Sequence, residues 1–121
     1  MLSRFIRRIR NLIRWLPVIW KDRDYDHFYL EHMMYHKLVH MYNFFISEDA
    51  VTNWDEKGAA KSLKALRICI TILDRRLNNF YVYVCPDVYD MRSVIRSHNI
   101  EMRDERLLGK LIGTYLSSWW D

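Results

Sequence analysis

The chain opens with apolar residues at three- and four-residue spacing: Leu2, Phe5, Ile6, Ile9, Leu12, Ile13 and Leu16. That recurrence marks one face of an α-helix, and Arg4, Arg7, Arg8, Arg10 and Arg14 fall on the other side. At about 100° per residue the apolar set covers an arc of roughly 120° and leaves every arginine outside it. Pro17 has no amide hydrogen and is costly in a helix interior, so the helix is expected to end near Leu16 or to restart with Pro17 in a first turn.

A second helix is expected over residues 26–46, with Leu30, Met34, Leu38, Met41 and Phe45 on its buried face. Asp22, Asp24 and Asp26 precede it, where unpaired amides and the positive end of the helix dipole favour carboxylates. Residues 47–55 read as a loop, and Thr52 or Asn53 followed by Asp55 or Glu56 resembles a capping box that starts a third helix. Ala59, Leu63, Leu66, Ile70, Leu73 and Leu77 form its apolar stripe, and Lys57, Lys61, Lys64, Thr71 and Arg75 share its polar face. Asn78-Asn79 ends it. The β-branched and aromatic residues from Phe80 to Val84 suit an extended connection, with no second strand to pair with. A modest helix through Val88, Met91, Val94 and Ile95 is expected to break at Ser97-His98-Asn99. A final helix follows from Arg103, carrying Leu107, Leu108, Leu111, Ile112, Tyr115, Leu116 and Trp119.

These elements predict a mainly α fold: a compact bundle of about four to five helices in one domain over residues 1–121, with a short extended segment near residues 80–85. Residues 1–20 form a basic amphipathic helix, either packed on the bundle or free as a docking arm. Half of the 121 residues are hydrophobic, and three glycines and two prolines argue against long disorder.

Charge changes the picture at one end. The net charge is +4, but residues 1–21 carry six basic residues and no acid, while the remaining hundred carry thirteen basic and fifteen acidic residues. The surplus is confined to the first helix and points to a local anionic partner. Cys69 and Cys85 lack the spacing of a zinc or redox motif and read as reduced, packed thiols. No unbroken apolar run suits a membrane span or a secretory signal, so a cytoplasmic address is expected; an arginine-rich start free of acids also fits a transit peptide.

The segment Trp15-Leu16-Pro17-Val18-Ile19-Trp20-Lys21-Asp22-Arg23-Asp24-Tyr25-Asp26 resembles the opening of small uncharacterised proteins encoded by tailed bacteriophages. Ile72-Leu73-Asp74-Arg75, Leu107-Leu108 and the terminal Trp119-Trp120-Asp121 resemble them as well. The resemblance implies a phage gene expressed in a bacterial host, in the cytoplasm or in the virion, and it removes the transit-peptide reading. It carries over no activity, cofactor or functional residue.

Candidate chemistry is sparse. His32, His36 and His40 recur every four residues on the side of the second helix opposite Leu30, Met34 and Met41, but a third metal ligand is missing and packing histidines are the preferred reading. The three aspartates begin like a calcium loop, yet His27 and Met33 stand where that loop needs glycine and glutamate. No glycine-rich phosphate cradle or activated nucleophile is present, so no cofactor, metal or catalytic residue is assigned. Gly109 and Gly113 on the last helix suggest a close backbone approach. Trp119 is expected in the core and Trp120 at an interface.

The reading that follows is a non-catalytic protein that binds an intracellular partner through Arg4, Arg7, Arg8, Arg10, Arg14 and Trp15. Lys57, Lys61, Lys64 and Arg75 extend that surface if the third helix lies alongside the first. A nucleic acid, or a nucleic-acid-binding host complex such as a defence complex that the protein inhibits, is placed ahead of a lipid surface as the partner. The alternative is a virion or assembly component that forms an oligomer. A plainer account is also open, in which the first helix packs its apolar face on the bundle and its arginines are merely solvated.

Overall fold

The computed structural model describes residues 1–22, 27–47, 57–83 and 89–119, with the backbone alone described at 57, 58 and 83. Among these residues the elements are α1 (Leu2–Trp20), α2 (His27–Phe45), α3 (Lys57–Leu77), α4 (Phe80–Tyr83), α5 (Met91–Tyr115) and a closing 3-10 turn (Leu116–Ser118). The architecture is a compact helical bundle, and no strand occurs among the described residues. The capping-box residues 52–56 and the acids Asp24 and Asp26 lie outside the described residues, as do Cys85 and Trp120.

Helix α3 is the axis of the core. Ala65, Leu66, Cys69, Ile72 and Leu73 recur at helical spacing and are between 0 and 3% exposed, so this stripe is enclosed by α2 on one side and α5 on the other. Leu38 and Phe45 of α2, Leu108 of α5 and Trp119 complete the cluster. Leu30, expected on the buried face of α2, is exposed instead, because the helix docks on α3 further along, through Met34, Leu38, Met41 and Phe45.

Polar pairs close both ends of the α3 stripe. At the C-terminal end Arg76 Nε donates to Glu31 Oε1 of α2 at 2.6 Å, with Glu105 of α5 4.0 Å from its Nη1. These carboxylates raise the Arg76 pKa against the opposing effect of burial. At the other end Trp119 Nε1 donates to the Ser62 carbonyl at 2.9 Å, so Trp119 is both core and latch. Its position agrees with the sequence reading.

Three boundaries depart from that reading. Helix α1 runs through Pro17 to Trp20 rather than stopping at Leu16. Ile13 and Pro17 are both exposed, so water can serve the Ile13 carbonyl that Pro17 leaves without an amide. Phe80–Tyr83, expected to be extended, is one helical turn. Asn79 precedes it with φ 58°, a left-handed conformation that asparagine tolerates, and so ends α3 and redirects the chain. Finally, the break expected at Ser97-His98-Asn99 is absent, and α5 is continuous over 25 residues from its Asp90 N-cap. From Met91 to Asp104 the buried side is polar: Ser97 donates to the Tyr81 carbonyl, and Asp104 is 2% exposed, while Met91, Val94 and Ile95 face outward.

Asp104 is the hub of that polar side. It accepts from Tyr81 Oη at 2.8 Å and from Arg75 Nη1 at 3.2 Å, and Arg75 also lies 4.9 Å from the centre of the Phe80 ring. Burial, followed by the bond to Asp104, pushes the Tyr81 hydroxyl pKa up. The close approach expected at Gly109 and Gly113 does not occur: a Cβ at either position would meet nothing within 4 Å.

Candidate binding surface on the N-terminal helix

Helix α1 meets the body in an unexpected orientation. Its contact is with α2, and Val18 is its buried residue. The Trp15 ring stands edge-on to His36 with centroids 4.5 Å apart, and His36 stands in the same way to His40, also at 4.5 Å. At about 100° per residue Trp15 lies roughly 60°, and Arg14 roughly 40°, from Val18 around the helix axis. Ile9, Leu16 and Trp20 lie roughly 160–180° from it. The helix therefore docks by a strip within its polar half, and the apolar row points away from the body.

Exposure bears this out along the whole helix. Leu2, Phe5, Ile6, Ile9, Leu12, Ile13 and Leu16 are all exposed, with Ile13 at 68% and Trp20 at 84%. The account in which the apolar face of α1 packs on the bundle is thus overturned. An unpacked row of this length leaves in water what a folded chain ordinarily hides, and such patches mark places where something else binds.

The arginines have separate fates. Arg4, Arg7, Arg8 and Arg10 are exposed, and no carboxylate among the described residues pairs with them. Arg14 is turned toward the histidine stripe of α2. Burial first, and then the Arg14 charge, lower the pKa of His36 and of His40 below the ordinary 6.5. His36 Nε2 is buried without a hydrogen-bond partner among the described residues, which further disfavours a charged ring. Trp15, expected on the free basic face, is half-buried against His36 and is not available to stack on a base.

Among the described residues the proposed extension on α3 is reduced to Lys61 and Lys64. Arg75 is a correction: it is tied to Asp104 and Phe80 and is no free cation. Lys61 and Lys64 are exposed, and the side chain of Lys57 lies outside the described residues. The described residues bring α1 and α3 together at a cleft of about 660 Å³, where Trp20 and Lys21 face Phe28 and His32 of α2 and Asp74 of α3. Asp74 is ten residues beyond Lys64, about 15 Å along the helix.

The histidine stripe is a docking strip for α1, and among the described residues no three His, Cys, Asp or Glu side chains converge as a metal site requires. Sequence reasoning missed a second basic row: Arg92, Arg96 and Arg103 flank an open groove with Ile95 and Ile100 on α5. Their spacing of four and seven residues is the signal, and it becomes visible once α5 is read as one helix.

No protein-family model matches the chain, and no curated protein or solved structure matches it either. No helix among the described residues is long and apolar enough to cross a membrane.

Proposed function

We propose that this is a non-catalytic, phage-encoded binding protein that acts inside the bacterial host, and that α1 is the element with which it meets an anionic partner. The body of α2, α3 and α5 is then the support that presents α1. The observation that carries the reading is the state of residues 2–13: every side chain is exposed, and four guanidinium groups have no carboxylate partner among the described residues. Uncompensated cations on one element attract phosphate-bearing surfaces and release counterions when they bind, so affinity falls as salt rises. Nucleic acid, a nucleic-acid-binding host complex engaged by a defence inhibitor, and acidic lipid all offer such charge.

Retention on heparin, a generic polyanion, tests the reading. Replacing Arg4, Arg7, Arg8 and Arg10 with glutamine is expected to lower the eluting salt sharply, whereas glutamine at Arg92, Arg96 and Arg103 has a smaller effect. Equal elution of the wild type and the α1 variant would remove the proposal. The exposed apolar row also favours a second reading, a virion or assembly component that buries this row between copies. A concentration-independent monomer by size-exclusion chromatography counts against it.

A further inference from the structure

We propose that the anionic partner of α1 is a lipid bilayer surface: α1 lies in the plane of the interface, apolar row inward, and suspends the body on the water side. This rests on the binding role of α1 and adds the identity of the surface. Three features of the molecule converge on it. The first is azimuth. Because Val18 and Trp15 dock the helix on α2, the apolar row faces directly away from the body, so a partner approaching from outside meets Leu, Ile and Phe before it meets arginine. A nucleic acid would engage the guanidinium groups and leave that row in water.

The second is length and shape. The row extends from Leu2 to Trp20, about 27 Å of helix, and is exposed throughout, which matches a flat acceptor better than a local pocket. The third is charge. Residues 1–21 carry six basic residues and no acid, while acids outnumber bases over the rest of the chain. Arg8 and Arg10, each roughly 80° from Val18 on opposite sides of the helix, border the apolar row at the level where acidic head groups meet acyl chains, and their long stems can reach phosphate while the row is immersed. Trp20, in the same row at the end nearest the body, is the side-chain type favoured at that boundary. Arginines recurring through residues 4–14 exclude crossing and fit lying flat.

Co-sedimentation of the full chain with vesicles tests this. The probes are vesicles of phosphatidylcholine alone and of equal parts phosphatidylglycerol and phosphatidylcholine. Wild type is expected to bind the acidic vesicles at least tenfold more tightly than the neutral ones. The pair Ile9→Gln and Ile13→Gln alters exposed side chains without changing charge, and is expected to weaken vesicle binding at least tenfold while thermal unfolding and heparin retention stay unchanged. Arg8→Gln and Arg10→Gln are each expected to weaken binding to acidic vesicles on the order of fivefold, and Arg4→Gln and Arg7→Gln, on the body side of the helix, less.

Vesicle binding that ignores the Ile9→Gln and Ile13→Gln pair, or that is equal on both lipids, overturns the proposal. Wild type left in the supernatant while heparin retention persists overturns the lipid assignment and leaves the binding role of α1 standing. Loss of both removes both. A dimer abolished by the Ile9→Gln and Ile13→Gln pair, without vesicle binding, would assign the row to a second copy of the chain and also overturn the lipid assignment.

Discussion

Helices α1 and α3 carry apolar rows of similar length at similar spacing, and the protein uses them in opposite ways. In α3 the row is turned inward, and Leu66, Cys69 and Leu73 lose all contact with solvent. In α1 a short strip on the other side, Trp15 and Val18, grips α2, and the row stays in water. Amphipathicity states that a helix has an apolar side. Which side touches the protein is decided by a few residues that can dock, and a helix that docks by its polar half is left with an apolar face for something else.

Several substitutions would break or sharpen this contrast. The largest effect is expected in the core: Leu66→Ala should cost about 2–5 kcal/mol, because no neighbour is free to fill the space. Ile9→Ala on α1 should stay within about 0.5 kcal/mol of wild type. Denaturant unfolding of the two variants measures the difference, and similar losses would mean that the α1 row is packed after all. Next comes Asp104→Ala, expected to cost about 2–3 kcal/mol by the same measurement. It strands the buried Tyr81 hydroxyl and releases Arg75, whose partial exposure limits its share.

Smaller and opposite in sign, Gly109→Ala and Gly113→Ala should each stabilise the protein by about 0.5–1 kcal/mol, since α5 gains a better helix former and the added methyl meets open space. A loss of stability or of binding would reveal a partner that approaches the α5 backbone. The smallest effect concerns acid. His36 and His40 titrate below their unfolded value of 6.5, so the folded state disfavours their protonation. Their contribution is complete above that pH and is lost as pH falls through the lowered folded values. The α1–α2 contact should therefore loosen as pH falls below 6.5 while the core stays intact, read from the Trp15 indole resonance by NMR. A shift that tracks global unfolding would contradict this.

Much of the fold was legible because burial imposes a period. Helices α2 and α3 and the second half of α5 put apolar side chains on the protein-facing side, and their residues announced them. The stretch of α5 from Met91 to Asp104 was not legible, since its buried positions are Ser97 and Asp104, and its apolar residues Met91, Val94 and Ile95 face water. Reading the apolar pattern there produced a false break and concealed the row of Arg92, Arg96 and Arg103. Residues 80–83 have the composition of a strand, but the Tyr81 bond to Asp104 and the Ser97 bond to the Tyr81 carbonyl hold a helical turn. At the candidate site, the arginines of α1 could be named from spacing. The docking role of Trp15 could not, because its place among them on the helical wheel looks like membership of the free face. Arg75 was misassigned for a related reason: its partner Asp104 is 29 residues away and on another helix.

The enclosed thiol of Cys69 offers a clock for the body. It is fully shielded on the α3 axis, and burial pushes its pKa up to about 11, so alkylating reagents find neither access nor thiolate while the helices stay together. Labelling must wait for α3 to separate from its neighbours. With Cys85 replaced by serine, the rate of modification would report how often the bundle opens, and whether engaging a surface through α1 alters that breathing.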